Sequence, residues 1–157
     1  MLREISMVVA ITMPIIAGHE GLRMEPYKDI AGVETVCYGE TEGINKRAYT
    51  RSECLVRLAE RVARDYEAPI SKCTAQWDSL PLPVQSASVS LAYNIGVAGF
   101  CGSSVRKSFD RRDLVEGCNN FLKWDKARVN GRLRQVEGLI VRRRAERKLC
   151  LEGIKRS

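Results

Sequence analysis

Residues 26–50 break the helical pattern that runs through the rest of the chain. Gly32, Gly39 and Gly43 divide this segment into short runs such as VETVCY, residues 33–38. Short runs of β-branched and aromatic residues between glycines indicate strands joined by tight turns. A small twisted sheet is therefore predicted inside an otherwise helical chain.

Side chains alternate between the two faces of a strand. On this basis Val33, Thr35 and Cys37 are predicted to share one face, and the residues between them to lie on the other. Cys37 would then lie near the hydroxyl of Thr35, where a disulfide would brace the sheet.

The segment before the sheet is predicted to form a short helix over residues 14–20. Thr12 is placed to cap this helix, Pro14 suits its first turn, and Gly21 can end it in a left-handed conformation. Glu20 is therefore expected in the last helical turn, at the negative end of the helix dipole.

The chain after the sheet is predicted to be helical. TRSE, at residues 50–53, is a capping box that opens the first of these helices. Further helices are predicted over residues 83–96, near 103–109 and 111–123, and over 138–153.

This order of elements predicts an α+β fold that is mostly helical, with a small antiparallel β lobe and a cleft between the lobes. A length of 157 residues suits one domain with a single core. We expect one domain over residues 1–157, with the β lobe in 20–50 and the helical lobe in 51–157. Nothing in the sequence indicates assembly, so a monomer is expected.

Six cysteines are scattered along the chain, with no C-x-x-C pattern and a single His elsewhere. A metal site is therefore not expected, and neither is a cofactor. An even number of scattered cysteines is typical of disulfides formed in an oxidising compartment, although buried free thiols are an alternative. Spacing does not choose the pairing. The disulfide candidates are Cys37, Cys54, Cys73, Cys101, Cys118 and Cys150.

The net charge of +7 favours an anionic partner, which can be nucleic acid, a membrane surface or an acidic wall polymer. No basic patch interleaved with aromatic residues is present, so nucleic acid is not expected as the partner. The run from Met7 to Ala17 is apolar apart from Thr12. It is shorter than the ~20 residues that span a bilayer, so a core helix is predicted, with a weak or trimmed export signal as the alternative.

Two carboxyl groups and a hydroxyl flank the first predicted turn. Glu20 ends the first helix, Asp29 lies in the polar turn YKDIAG, and Thr35 follows in the strand. The helix end is expected to keep a proton on Glu20, whereas Asp29 is expected to stay ionised. An acid and a carboxylate in one site are the usual arrangement for cleaving a glycosidic bond, and a hydroxyl can position water. Two solvated surface carboxylates are the alternative.

A wider set of residues surrounds these three. Near the predicted sheet the set comprises Glu20, Gly21, Tyr27, Asp29, Gly32, Thr35, Tyr38, Gly39 and Thr41. Downstream it includes AYNIG at residues 92–96 and GLIVRRRAERKLC at 138–150. Together these motifs closely resemble the phage-type lysozymes, or endolysins, of glycoside hydrolase family 24.

The resemblance implies a two-lobed lysozyme fold and hydrolysis of the β-1,4 bond between N-acetylmuramic acid and N-acetylglucosamine in peptidoglycan. It assigns Glu20 as general acid, and Asp29 and Thr35 as the groups that hold and activate water, in a mechanism usually described as inverting. The chain would be exported to the periplasm or cell wall of its bacterial host, with transient membrane association through its apolar N-terminal run. A non-catalytic wall-binding protein on the same scaffold is the alternative.

Other polar residues allow more than one interpretation. Asn94 is a candidate for substrate binding or for capping its helix. Glu40 stands where many relatives carry His, and it is expected on the rim of the site. His19 is expected to have an incidental surface or packing role. The basic run of the last helix is predicted to be a solvated face, held by a pair between Arg142 and Glu146, with binding of wall polymer or lipid as the alternative.

Overall fold

The computed structural model describes residues 5–45 and 47–155. Within these residues the helices are α1 (Met7–His19), α2 (Arg51–Val62), α3 (Ala68–Cys73), α4 (Leu82–Ile95), α5 (Val97–Cys101), α6 (Ser104–Asp110), α7 (Leu114–Asn120) and α8 (Glu137–Lys155). Short 3-10 turns lie at Trp77–Ser79 and Phe121–Trp124.

Two small antiparallel sheets interrupt the helices. Strand β1 (Arg23–Lys28) pairs with β2 (Glu34–Cys37), and β3 (Lys126–Val129) pairs with β4 (Arg132–Gln135). The first sheet overlaps the predicted segment, residues 26–50, but it begins three residues earlier, at Arg23, and ends at Cys37. The mostly helical α+β prediction is therefore confirmed.

Helix α1 is longer than predicted. It begins at Met7, where the side chain of Ser6 accepts a hydrogen bond from the N–H of Val9, and Pro14 lies inside it. Thr12 does not cap the helix but donates its hydroxyl to a carbonyl one turn earlier. The core-helix interpretation is confirmed, because four of its side chains are buried: Val8, Val9, Thr12 and Ile16. Among the described residues, no helix is both long and apolar enough to cross a bilayer.

The end of α1 also differs from the prediction. The helix ends at His19, and Glu20 follows as its C-cap with extended backbone angles, φ −96° and ψ 138°. The N–H of Glu20 still donates to the carbonyl of Ile16, at 2.9 Å. Gly21 has no positive φ, because the extended Glu20 already directs the chain out of the helix. Glu20 therefore lies just beyond the last turn rather than within it.

Helix α2 begins at the predicted capping box. The side chain of Thr50 accepts the N–H of Glu53 at 3.1 Å, and the carboxylate of Glu53 accepts the N–H of Thr50. The helix continues through a π-helical turn, Ala63–Glu67, into α3. Pro69, near the start of α3, has no N–H for the carbonyl four residues earlier, and the widened turn lies directly before it.

Helix α4 forms the centre of the core. Every residue from Val84 to Ala92 is buried, and the helix packs mainly on α1 and α8. The helices that carry Glu20 and the basic run therefore pack against the same central helix.

Three disulfides use all six cysteines. They are Cys37–Cys54, Cys73–Cys101 and Cys118–Cys150. They tie β2 to α2, α3 to α5, and α7 to α8, and each closes a loop that restricts the unfolded chain. The disulfide interpretation is confirmed, with a pairing that the sequence did not choose.

The predicted alternation of faces in β2 is wrong. Val33 is 45% exposed whereas Thr35 is 4% exposed, so these two residues do not share an environment. Cys37 has a positive φ of 61°, which ends the regular alternation there. Its disulfide to α2 covers the end of the strand, and the residues from Thr35 to Cys37 are all buried.

Strands β3 and β4 form a hairpin that the helical interpretation of this region did not include. Asn130 and Gly131 both have positive φ, 50° and 78°, and join the strands in a two-residue turn. Asn-Gly between two alternating runs is a strong hairpin signal. The sequence therefore contained the information for this hairpin.

Gly117 in α7 is packed too closely to accept a side chain. A Cβ atom there would overlap with Cε1 of Phe109, which is fully buried. We expect Gly117→Ala to lower the free energy of unfolding in urea by about 1–3 kcal/mol, the usual cost of overpacking.

Gly138 in α8 supplies the control, because a Cβ atom there would meet no atom within 4 Å. The control Gly138→Ala should therefore be neutral or stabilising, by up to ~1 kcal/mol. Equal stability of the two variants would contradict the packing at Gly117.

Candidate active site

Glu20 lies at the junction of α1 and β1, and its side chain is held by α8. Its Oε1 lies 3.6 Å from Nη1 of Arg142, and the Glu20 side chain is 35% exposed whereas that of Arg142 is 5% exposed. The buried guanidinium can fix a carboxyl group that a substrate can still reach. The adjacent His19 lies at the surface. Partial burial of its ring, together with the charges of Arg142 and Arg143, lowers its pKa.

Asp29 organises the turn between β1 and β2. Its Oδ1 accepts the N–H groups of Ala31 and Val33, both at 2.9 Å. An aspartate that bonds backbone groups two to four residues ahead fixes both the turn and its own carboxylate. The side chain is exposed, and Oδ2 has no protein partner in the part of the chain that the structure describes.

Thr35 lies in β2, opposite Tyr27 of β1. Its hydroxyl donates to the carbonyl of Val33 at 2.9 Å. A hydroxyl has a single hydrogen to donate, so Oγ1 of Thr35 is left with acceptor capacity only. A water bound there would have to donate to Thr35.

Asp29 and Thr35 are connected through one residue, Val33. Asp29 accepts its N–H, and Thr35 donates to its carbonyl. No hydrogen bond among the described residues joins Glu20 to either of them, and Glu20 is linked to α8 instead. The sheet thus carries the candidate base and water-holding group, whereas the junction of α1 with α8 carries the candidate acid.

Asn94 lies near the end of α4, and Arg143 orients its amide. Nη1 of Arg143 donates to Oδ1 of Asn94 at 2.8 Å. Arginine cannot accept a hydrogen bond, so the amide oxygen must face Arg143. No described residue accepts from the NH₂ group, which can therefore donate to a ligand from an exposed side chain. The helix end itself is closed by Gly96, which has a φ of 89° and donates its N–H to the carbonyl of Ala92.

The prediction of a solvated basic face is wrong at Arg142 and Arg143. Arg143 pairs with Glu146 at 2.5 Å, and both side chains are 0% exposed. Burial lowers the pKa of Arg143 and raises the pKa of Glu146, in each case against the attraction of the partner. Arg142 turns to Glu20 rather than to Glu146, because this face of α8 packs on α4.

Glu40 is buried rather than on the rim. It is 7% exposed, and its Oε1 lies 3.3 Å from Nε of Arg61 in α2. Burial raises the pKa of Glu40, and the charges of Arg61 and Arg57 only partly offset this effect. Arg61 also donates to the carbonyls of Tyr38 and Gly39, at 3.2 and 3.1 Å. Helix α2 therefore holds the loop that follows β2.

Tyr93 joins this network to the residue beside it, Asn94. Its hydroxyl accepts a hydrogen bond from Arg61 and lies 3.4 Å from the carbonyl oxygen of Tyr38. Burial raises the pKa of Tyr93 to about 12, so the phenol stays protonated. The end of β2, helix α2 and helix α4 are thus connected next to Asn94.

Glu40→Gln should gain stability relative to the wild type as the pH rises. The folded state binds the Glu40 proton more tightly than the unfolded state does, because the folded pKa is raised. That contribution is fully present below the ordinary value of 4.5 and is lost as the pH rises through the folded pKa. The variant has no such group. We expect its free energy of unfolding in urea, relative to that of the wild type, to be higher at neutral pH than in acid.

The control for this prediction is Glu42→Gln, two residues away and exposed. It should show no pH-dependent gain over the wild type. If the free energy of unfolding of Glu40→Gln instead fell relative to that of the wild type towards neutral pH, the ion pair with Arg61 would outweigh the effect of burial.

Sequence reasoning missed the inward face of α8. Long cationic side chains are normally solvated, so a basic run by itself predicts a surface. The available signal was helical spacing, because Glu146 and Cys150 follow Arg143 at i+3 and i+7. A disulfide candidate on that face indicates that the face points inward. The Arg61 network had no comparable signal.

Comparisons with known proteins agree with this architecture. The sequence model of the family described as Phage lysozyme matches residues 17–146. The SAR-endolysin of Bacteriophage PS119 is 34% identical over 141 residues, which cover 87% of this chain and 78% of that protein. A phage P22 lysozyme structure is 27% identical, with a TM-score of 0.78 over 96% of this chain and 99% of that one. The active form of the P1 phage endolysin Lyz is 25% identical, with a TM-score of 0.73 over 98% and 96% of the two chains. The chain therefore belongs to the phage lysozyme family.

Proposed function

We propose that this chain is an endolysin that hydrolyses the β-1,4 bond between N-acetylmuramic acid and N-acetylglucosamine in peptidoglycan, and so lyses the host cell. The observation that carries the proposal is the set of Glu20, Asp29 and Thr35 in a chain of the phage lysozyme family. Relatives named endolysin and lysozyme support the same activity.

Glu20 is the proposed general acid. It would protonate the oxygen of the leaving sugar as the bond from that oxygen to the anomeric carbon breaks. Arg142, 3.6 Å away, would hold the carboxyl group in place.

Asp29 and Thr35 are proposed to hold the attacking water. One water hydrogen would go to Oδ2 of Asp29, which accepts the proton as the base, and the other to the hydroxyl oxygen of Thr35. A lone pair of the water would then be free to attack the anomeric carbon, which inverts its configuration.

Asn94 is the proposed substrate-binding residue of the helical side. Its free NH₂ group can donate to a sugar hydroxyl or to the carbonyl oxygen of an N-acetyl group. Arg143 donates to one of the two lone pairs of the amide oxygen. The two N–H groups of the amide are therefore its main means of binding a substrate, which favours ligands with an acceptor such as a carbonyl at that point.

Peptidoglycan as substrate places the site of action in the periplasm or wall of the bacterial host. Three disulfides suit that oxidising location. We also propose a monomer with one domain, in which residues 20–50 and 51–157 form the two walls of the cleft. Transient membrane association through residues 7–17 would have to precede folding, since α1 buries part of this run in the core.

Digestion of purified peptidoglycan tests the proposed function. A muramidase releases new reducing ends that belong to muramic acid, and no new free amines. A non-catalytic wall-binding protein would stay on the wall and release neither product. New free amines without reducing ends would indicate an amidase and overturn the proposal.

A further inference from the structure

The β3–β4 hairpin is an exposed cationic projection from the helical part of the chain. Its ten residues, 126–135, include four cations and no acid: Lys126, Arg128, Arg132 and Arg134. Every residue of the hairpin except Ala127 is exposed. A two-stranded ribbon of this kind adds almost nothing to the core, so its side chains are free to serve another purpose.

The base of the hairpin is fixed, and one of its four charges is neutralised there. Asp125 accepts from Nζ of Lys126 at 2.9 Å and from Nε2 of Gln135 at 2.8 Å. The backbone carbonyl of Asp125 also accepts the N–H of Val136, at 3.0 Å. Asp125 thus contacts the first residue of β3 and the last residue of β4, and these contacts fix the direction of the ribbon relative to the helical part of the chain.

The three arginines beyond this base form no ion pair with a carboxylate in the part of the chain that the structure describes. Arg128 makes one weak contact, at 3.4 Å, with the carbonyl of Gly131 in the turn. Arg132 and Arg134 form no hydrogen bond or ion pair with any residue that the structure describes. Three unneutralised guanidinium groups on a small ribbon repel one another, and an anionic ligand would relieve that repulsion.

Two of the arginines lie beside exposed aliphatic side chains. Arg128 lies opposite Leu133, and Arg132 lies opposite Val129. Leu133 is 63% exposed and Val129 is 41% exposed. Cross-strand partners lie side by side on one face of a ribbon, so a guanidinium adjoins an aliphatic surface on both faces. This combination suits a peptide with carboxylates and methyl groups better than a bare phosphate.

The hairpin is connected at both ends to residues of the candidate site. The carbonyl of Trp124, just before β3, accepts from Arg143, which also orients Asn94. Strand β4 leads into α8, where Arg142 meets Glu20. The ribbon therefore projects from the helical part of the chain, which carries the proposed substrate-binding amide and the arginine that contacts the proposed acid.

We propose that Arg128, Arg132 and Arg134 bind free carboxylates of the stem peptides on the glycan strand that occupies the active site. This inference rests on the proposed function. Stem peptides are short, rich in alanine methyl groups and bear the carboxylates that make the wall acidic. Carboxylate recognition by arginine is geometrically favoured, because the planar guanidinium can donate two parallel hydrogen bonds.

The test compares two soluble substrates: glycan strands with stem peptides, and the same strands after enzymatic removal of those peptides. The variant R128Q/R132Q/R134Q is compared with K72Q/K107Q/K155Q. The second variant also loses three exposed charges, from α3, α6 and the end of α8. Melting temperatures check that both variants fold.

On strands with peptides, we expect the KM of the hairpin variant to be at least about fivefold higher than that of the wild type, with kcat unchanged. This magnitude is what the loss of several exposed ion pairs would give. On peptide-free strands it should match the wild type, and high salt should reduce the difference. The lysine control should stay within about twofold of the wild type on both substrates.

Three results would overturn the inference: no rise in KM, an equal rise on both substrates, or the same rise in the lysine control. Weaker binding of the hairpin variant to phosphatidylglycerol vesicles, with unchanged kinetics on strands, would assign the ribbon to lipid and overturn it as well. Failure of the proposed function is distinguishable, because the wild type would then release no reducing ends from either substrate.

Discussion

Glu20→Gln should reduce peptidoglycan hydrolysis by about 10²–10⁴-fold while the chain still folds. Glutamine has the size of glutamate, but it has no acidic proton to give to the leaving oxygen. Hydrolysis is measured as reducing ends formed per minute from purified wall, and folding by circular dichroism. The loss should appear in kcat, because the proton is transferred in the transition state rather than in binding.

The matched control is Glu152→Gln. This glutamate is exposed on the same helix as Arg142, so the variant has the same charge change away from the candidate site. It should hydrolyse the wall at the wild-type rate. If Glu20→Gln kept more than about a tenth of that rate, Glu20 would not be the general acid.

Glu146→Gln should destabilise the fold strongly, by more than Gly117→Ala. The side chains of Arg143 and Glu146 are 0% exposed and lie 2.5 Å apart. Removing the carboxylate leaves a buried guanidinium without its counter-charge. This typically costs about 3–5 kcal/mol, which for a domain of this size lowers the melting temperature by roughly 6–20 °C. The measurement is thermal unfolding with the disulfides intact.

An exposed ion pair supplies the control. Glu116→Gln breaks the pair with Arg111, in which the side chains are 50% and 60% exposed. It should cost less than about 1 kcal/mol. A similar melting temperature for the Glu116 and Glu146 variants would show that the buried pair contributes little.

The double variant Arg143→Met, Glu146→Leu separates stability from function. Apolar side chains of similar volume often replace a buried ion pair at no cost, so most of the lost stability should return. The amide of Asn94 would no longer be oriented, because Arg143 is the donor to its oxygen. We therefore expect a stable protein with a raised KM. A double variant with both the stability and the KM of the wild type would show that Arg143 does not orient the substrate-binding amide.

Features set by a few neighbouring residues could be predicted from the sequence. The capping box at Thr50 and the helix end at Gly96 depend on local backbone chemistry, and both are present. The Asn130–Gly131 turn is equally local, but the prediction of a helical lobe over residues 51–157 did not include the hairpin that this turn joins. The placement of Asp29 and Thr35 around one turn also follows from local sequence.

Features set by tertiary packing could not be predicted in the same way. Glu40 and Arg143 carry charges, and charged residues are usually solvated, so only the packing of α2 and α8 reveals that they are buried. The disulfide pairing depends on which helices are neighbours. The contact between Glu20 and Arg142 joins residues that are far apart in sequence, and no local pattern encodes it.

Attack by water, rather than by a carboxylate, is the step on which the roles of Glu20, Asp29 and Thr35 depend. The most direct test is the configuration of the new reducing end, observed by proton NMR during the first turnovers on soluble glycan strands. Water held by Asp29 and Thr35 must attack from the face opposite the leaving oxygen, so the β-linked sugar should appear first as the α-anomer. Initial release of the β-anomer would contradict this mechanism.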